Sequence, residues 1–203
     1  LAMGLNEFAG YIAVGLMALL TGFIAEQYGV SPYPFYLGFV IALTGLLLTI
    51  FFVKETTQFM KLEQEKSTSP NLKNIFLDTT YSNPTLSSVT QAGLVNNLND
   101  GMIWGLLPLF LIGLHFNNAD IGWIASIYPS VWGIAQLATG KLSDNYSKKK
   151  MLFWGMLIQG LTIIIFPYTS NFWILASLSA LLGIGTALVY PTFLSTIAQA
   201  TQP

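Results

Sequence analysis

Residues 33–53 read YPFYLGFVIALTGLLLTIFFV, without a charge until Lys54-Glu55 closes the run. A helix rises about 1.5 Å per residue, so roughly 20 apolar residues cross about 30 Å of hydrocarbon. By length and apolarity this stretch is a membrane span. Working outward from it, lysine-free apolar stretches of similar length occupy residues 8–25, 86–113, 121–140, 151–168 and 172–198. Six spans are thus predicted, joined by connections at 26–32, 54–85, 114–120, 141–150 and 169–171, of which only the second is long.

The basic residues are all lysines. Lys54, Lys61, Lys66 and Lys73 fall in the second connection, Lys141, Lys148, Lys149 and Lys150 in the fourth, and none in the others. Positive charge in alternate loops is what the positive-inside rule predicts, placing 54–85 and 141–150 on the cytoplasmic side. The composition agrees, because 53% of the 203 residues are hydrophobic and 8% charged, against about a quarter charged in soluble domains. Six such stretches cannot all be buried in one domain of this length. The fold class is all-α, a polytopic transmembrane helical bundle in the lipid bilayer.

The same counts exclude several functions. A net charge of -1 supplies no basic field for nucleic acid. With no cysteine and one histidine, a disulfide, a thiolate or multi-histidine metal site and a cysteine nucleophile are ruled out. No phosphate-binding loop or serine nucleophile elbow is present, and Gly183-x-Gly185 lacks a third glycine and a strand before it, so neither cofactor nor catalysis is expected. The opening Leu-Ala-Met-Gly has no signal-peptide architecture, and the chain is expected to be part of a longer one. Within the long connection, the charged run 54–66, then Ser67-Thr68-Ser69-Pro70, then the mildly amphipathic 71–78 read as a solvated linker followed by a short surface helix.

At the fourth connection, Gly140-Lys141-Leu142-Ser143-Asp144-Asn145-Tyr146-Ser147-Lys148-Lys149-Lys150 resembles the loop signature G-x-L-[AS]-D-[RK]-x-G-[RK]-[RK] of major facilitator superfamily transporters. Asn145 stands in place of its first basic residue and Ser147 in place of its glycine. Asn6-Glu7-Phe8-Ala9-Gly10-Tyr11, Lys54-Glu55-Thr56, the run Gln91-Ala92-Gly93-Leu94-Val95-Asn96-Asn97-Leu98-Asn99-Asp100-Gly101 and the glycine-rich 183–191 are similar to other parts of that family. The resemblance implies helices five to ten of a twelve-helix fold. Residues 1–54 would be the last two helices of the N-terminal half, 55–85 the cytoplasmic central loop, and 86–203 the first four helices of the C-terminal half. It also implies a secondary active transporter, in the plasma (inner) membrane, that moves a small-molecule solute by alternating access with protons as a candidate coupling ion. A non-transporting receptor or scaffold of the same fold is the alternative.

Asp100 is the one acid near the middle of a span, where an ionisable group costs several kcal/mol and is by default a functional candidate. Gly93, Asn96, Asn97, Asp100 and Trp104 recur at helical spacing as one polar stripe, which must line a cavity or pair with another helix. A carboxylate there either handles protons or substrate or serves as interhelical hydrogen-bonding glue. Tyr128, Trp132 and Gln136 form a second stripe in the next span, suited to an amphiphilic substrate or to simple packing. Gln159 and Tyr190 are weaker candidates of the same kind. Pro108, Pro129 and Pro191 interrupt three spans, as hinges or as static kinks. By the pseudo-symmetry the resemblance implies, Asp144 is expected to cap or lie beside residues 5–8, with Glu7 near Lys148 or Lys149, forming a conformational-switch loop with Gly140; an ordinary solvated loop acid is the alternative. His115 reads as an interfacial residue at the outer end of the third span.

Overall fold

The computed structural model describes residues 2–55, 57 and 75–200. Six long helices follow in order: α1 Ala2–Tyr28, α2 Tyr33–Phe52, α3 Pro84–Gly113, α4 Asn118–Asn145, α5 Lys148–Ile165 and α6 Phe172–Ala200. A single helical turn at Ile75–Leu77 and a π-turn at Asp78–Ser82 lead into α3, and a 3-10 turn at Phe166–Tyr168 ends α5. Among the described residues there is no strand. The linker expected at 54–70 lies outside the described residues from Gln58 onward.

Helices α3, α4 and α6 each start where an asparagine side chain satisfies free backbone N–H groups, whereas α2 and α5 start at Pro32 and Ser147 without a side-chain cap. Asn83 Oδ1 accepts from Thr85 N and Leu86 N, with Pro84 at the first helical position. Asn117 Oδ1 accepts from Asp120 N at 2.7 Å, and Asn171 Oδ1 from Trp173 N and Ile174 N. Helix α3 ends in a Schellman turn: Phe116 N donates to Leu111 O and His115 N to Ile112 O, with His115 at φ 64 in the left-handed conformation that glycine usually takes. Hydroxyls within the spans donate back to carbonyls four residues earlier, as Thr21, Thr44, Thr49 and Ser177 do, so they bring no unsatisfied donor into an apolar environment.

The expected ends shift at the fourth connection. Residues 141–145 continue α4 and Lys148 already begins α5, so only Tyr146 and Ser147 link them. Both are extended, at φ -114 and φ -61. No left-handed residue is needed, which is the physical reason a serine can stand where the family signature has glycine.

Glycines set how the helices pack. Helices α1 and α4 run antiparallel in contact along their length: a Cβ on Gly22 would lie 2.7 Å from Gly122 Cα, one on Gly15 2.9 Å from Ser126 O, and one on Gly133 3.1 Å from Tyr11 Cβ. Glu26 Oε2 closes one end of this seam by accepting from Asn118 N at 2.8 Å. Helix α6 lies centrally. It meets α4 at Gly183, α5 at Gly155 and Gly185, and α3 where Phe193 approaches Gly93. The core is built from α3, α4 and α6, around Leu107, Leu111, Ile124, Leu175 and Leu182. Helix α2 has no buried residue.

Four helical stretches are long and apolar enough to cross a membrane: Leu5–Tyr28, Tyr33–Phe52, Lys148–Tyr168 and Phe172–Ile197. Six were expected. Helices α3 and α4, of 30 and 28 residues, are long enough but fall short on apolarity. The cause is the polar side chains they turn inward: Asn96 and Asp100 on α3, and Ser126, Gln136, Thr139 and Ser143 on α4.

Candidate functional site

Asp100 is 8% exposed at the middle of α3. Asn96, one turn earlier, donates Nδ2 to Asp100 Oδ2 at 3.2 Å, and the Tyr128 hydroxyl from α4 donates to Asp100 Oδ1. Burying a carboxylate without a partner is costly, and two donors to its oxygens offset part of that cost. Among the described residues no cation pairs with it; Lys54, Lys141 and Lys148–150 all sit at helix ends or in connections.

The hydrogen bonds extend beyond this pair. Tyr128 Oη lies 3.1 Å from Thr186 Oγ1 on α6, and Thr186 Oγ1 also reaches Leu182 O at 3.1 Å. On the other side, Gln159 Nε2 of α5 donates to Asn96 Oδ1 at 3.0 Å, and Asn99 Nδ2 donates to Gln159 Oε1 at 2.8 Å. Four helices therefore converge on one acid. The sequence singled out Asp100, Asn96 and Tyr128, with Gln159 as a weaker candidate. It did not mark Thr186 or Asn99, and only pairing across helices, which periodicity does not report, brings them in.

The two expected stripes divide. Asn96 and Asp100 point inward, whereas Asn97 is exposed and forms no hydrogen bond among the described residues. Trp104 is 52% exposed but lines a cavity of about 140 Å³ between α1, α3 and α4. Val14, Ile103, Leu107, Pro108 and Pro129 form its apolar wall, and Tyr128 links it to Asp100. Trp132 is fully packed, stacked on Tyr11 with ring centroids 3.6 Å apart and edge-on to Tyr190 at 5.7 Å. Gln136, 1% exposed, and the Trp132 indole N–H have no hydrogen-bond partner among the described residues.

At the opposite end from Glu26, the side chain of Asp144 lies outside the described residues, so its contact with residues 5–8 does too. Gly140 lies within α4, and a Cβ there would meet nothing within 4 Å. Glu7 is half-buried, within electrostatic reach of Tyr11 and Tyr190, and forms no ion pair among the described residues. Lys148 instead donates Nζ to Ser195 O near the end of α6, at 3.1 Å, a cation at the negative end of a helix, and Lys149 is exposed. His115 occupies the turn after α3. Among the described residues no group of three acids or histidines is placed to hold a metal.

Apolar helices long enough to span a bilayer, enclosing a buried acid that only neutral donors satisfy, define a polytopic integral membrane protein with a polar centre. The comparisons carry this further. Residues 89–203, more than half of the chain, match the family described as Major Facilitator Superfamily. The chain belongs to that family. It is 28% identical over 197 residues to the multidrug resistance protein MdtG of Citrobacter koseri, covering 94% of this chain, and 28% identical over 197 residues to the protein of that name from Salmonella arizonae. In both cases 46% of the relative is covered, so the chain spans about half the length of the curated relatives it matches. No solved structure matches it.

Proposed function

We propose that this chain forms part of a secondary active transporter that moves small amphiphilic solutes by alternating access, with Asp100 as the group that takes up and releases the coupling proton. The observation that carries the reading is a buried, cation-free carboxylate joined through Tyr128 to an apolar, aromatic-walled cavity. Substrate and ion sites near the middle of discontinuous or kinked helices suit transporters that alternate between two faces. Pro108 and Pro129 lie inside α3 and α4, which continue through them, and both line the cavity. The relatives named for multidrug resistance support a solute set wider than one compound, and the apolar wall with its aromatic rings suits amphiphilic members of it.

The hydroxyl of Tyr128 gives protonation a mechanical consequence. While Asp100 is ionised, Tyr128 donates to it. Once Asp100 holds a proton, the acid donates to Tyr128 Oη, and Tyr128 turns its own proton toward Thr186 Oγ1 on α6. Loading the acid thus changes the contact between α4 and α6. In this reading α1 and α2 belong to one half of the transporter and α3 to α6 to the other, the α1–α4 seam is their moving contact, and the connections at 54–85 and 141–150 face the cytoplasm of the inner membrane.

The test is solute-driven proton flux in proteoliposomes made with the full-length transporter of which this chain forms part. Asp100→Asn should abolish proton flux while leaving solute binding measurable. Undiminished proton-coupled transport in Asp100→Asn would show that Asp100 is interhelical glue. Binding without transport in the unmodified protein would favour a receptor or scaffold.

A further inference from the structure

Gln159 of α5 is 1% exposed, yet its amide uses both ends on the neighbouring α3. Its place is prepared by glycine: a Cβ on Gly185 of α6 would lie 2.8 Å from Gln159 Cγ. The direction of the chain follows from its end point. An ionised carboxylate only accepts hydrogen bonds, so Asn96 must turn Nδ2 to Asp100 and leave Oδ1 for Gln159. Gln159 must then present Nε2 to Asn96 and Oε1 to Asn99, whose Nδ2 completes the series. Every donor in the row points toward Asp100. Consecutive hydrogen bonds of one sense polarise one another, and the last bond, to a charged group, is strengthened by those behind it.

We propose that Gln159 is a positioning residue. By locking the amide of Asn96 with its donor face on Asp100, it sets the proton affinity at which Asp100 exchanges its proton, without itself touching the solute. The proposal rests on the reading of Asp100 as the proton-handling group. Tyr128 faces Asp100 from α4, with Tyr11 of α1 and Tyr190 of α6 within electrostatic reach, whereas α5 contributes the uncharged Gln159. Removing Gln159 therefore changes the donor row and no neighbouring charge.

The experiment is a pH titration of the reconstituted full-length transporter by infrared difference spectroscopy, with Asp100→Asn subtracted to isolate the protonated carboxyl band of Asp100. Gln159→Met keeps the volume and removes both amide ends. Its band should persist to higher pH, the midpoint moving by about one unit, a tenfold change in proton affinity. The pH profile of solute-driven proton flux should move with it. Asn99→Leu removes only the outermost donor and should shift the midpoint the same way by less than half as much. An unmoved midpoint in Gln159→Met, even with lower yield or thermal stability, assigns Gln159 to packing and overturns the proposal. If no titrating Asp100 band is found at any pH, the reading of Asp100 fails together with it, which is a separate result from a titrating Asp100 that is indifferent to Gln159.

Discussion

Gly22→Ala isolates the contact on which the α1–α4 seam depends. The added methyl would sit 2.7 Å from Gly122 Cα and 2.9 Å from Asn118 O, both of them backbone atoms that no rotamer change can move. Ordinary contact begins near 3.4 Å, so the two helices must part by about 0.7 Å at this level. Overpacking of this kind costs about 1–3 kcal/mol. Alanine recovers up to about 1 kcal/mol over glycine in helix propensity. Because both clashing atoms are backbone, the upper part of that range applies, about 2–3 kcal/mol, and the net loss is about 1–2 kcal/mol, which for a chain of this size lowers Tm by roughly 2–8 °C. Gly101→Ala, on α3, is the matched control, because a Cβ there meets nothing within 4 Å. It should gain the propensity term alone and raise Tm slightly. Thermal unfolding of the detergent-solubilised protein, followed by circular dichroism, reads both. The argument depends on opposite signs for the same chemical change, and a Gly22→Ala protein melting at or above the unmodified protein would refute it. The double variant Gly22→Ala/Gly122→Ala should cost less than the two single changes together, because one separation relieves both clashes.

Other substitutions probe the remaining elements. Tyr128→Phe removes the donor to Asp100 and the partner of Thr186, leaving buried groups unpaired at a cost of about 1–3 kcal/mol, whereas Thr186→Ala should cost about 1 kcal/mol; denaturation midpoints rank the two. Glu26→Ala removes the acceptor for Asn118 N and should cost about 0.5 kcal/mol, the low end for a helix cap because Glu26 is exposed, while Glu26→Gln keeps an acceptor and should melt with the unmodified protein. His115→Gly relieves a left-handed residue and should raise Tm by roughly 2–4 °C, from about 1 kcal/mol; an equal or lower Tm would mean that the His115 side chain stabilises the turn.

The sequence shows spans because crossing a bilayer is a requirement on length and apolarity, both of which are local. It shows Asp100 for a related reason: a mid-span acid is conspicuous whatever it touches. Helix–helix contacts are not local. Gly22 and Gly122 lie a hundred residues apart and look like any glycines in apolar runs until the backbones meet. Asn97 and Asn96 are equivalent in composition, but one step along a helix rotates the side chain by about 100°, enough to bury Asn96 and expose Asn97. The stripe rule grouped them because its angular width exceeds the width of the contact. The fourth connection is shorter than its composition suggests, because lysines and a serine point to solvent, whereas a helix continues through such residues when its end is free to enter water.

Apolarity and burial run in opposite senses for several of these helices. Helix α2 is an almost unbroken apolar run with no buried residue, whereas α3 and α4 are less apolar than the other four helices and supply most of the buried polar side chains. In water this would be a defect, since the most hydrophobic helix would be the most exposed. In lipid it is the expected order: apolar surface outside costs nothing, and polar groups collect where other protein groups can satisfy them. Helix α6 departs from the trend, being both apolar and 56% buried over its most apolar stretch. Its small residues explain the departure, because Gly183 and Gly185 admit the backbones of α4 and α5 to contact distance. Close approach, rather than polarity, draws α6 to the centre, and it places Thr186 beside Tyr128 and leaves room at Gly185 for Gln159. The polar centre therefore depends on the glycines of an apolar helix, and Gly185→Ala should disturb Asp100 through Gln159 although it changes no polar atom.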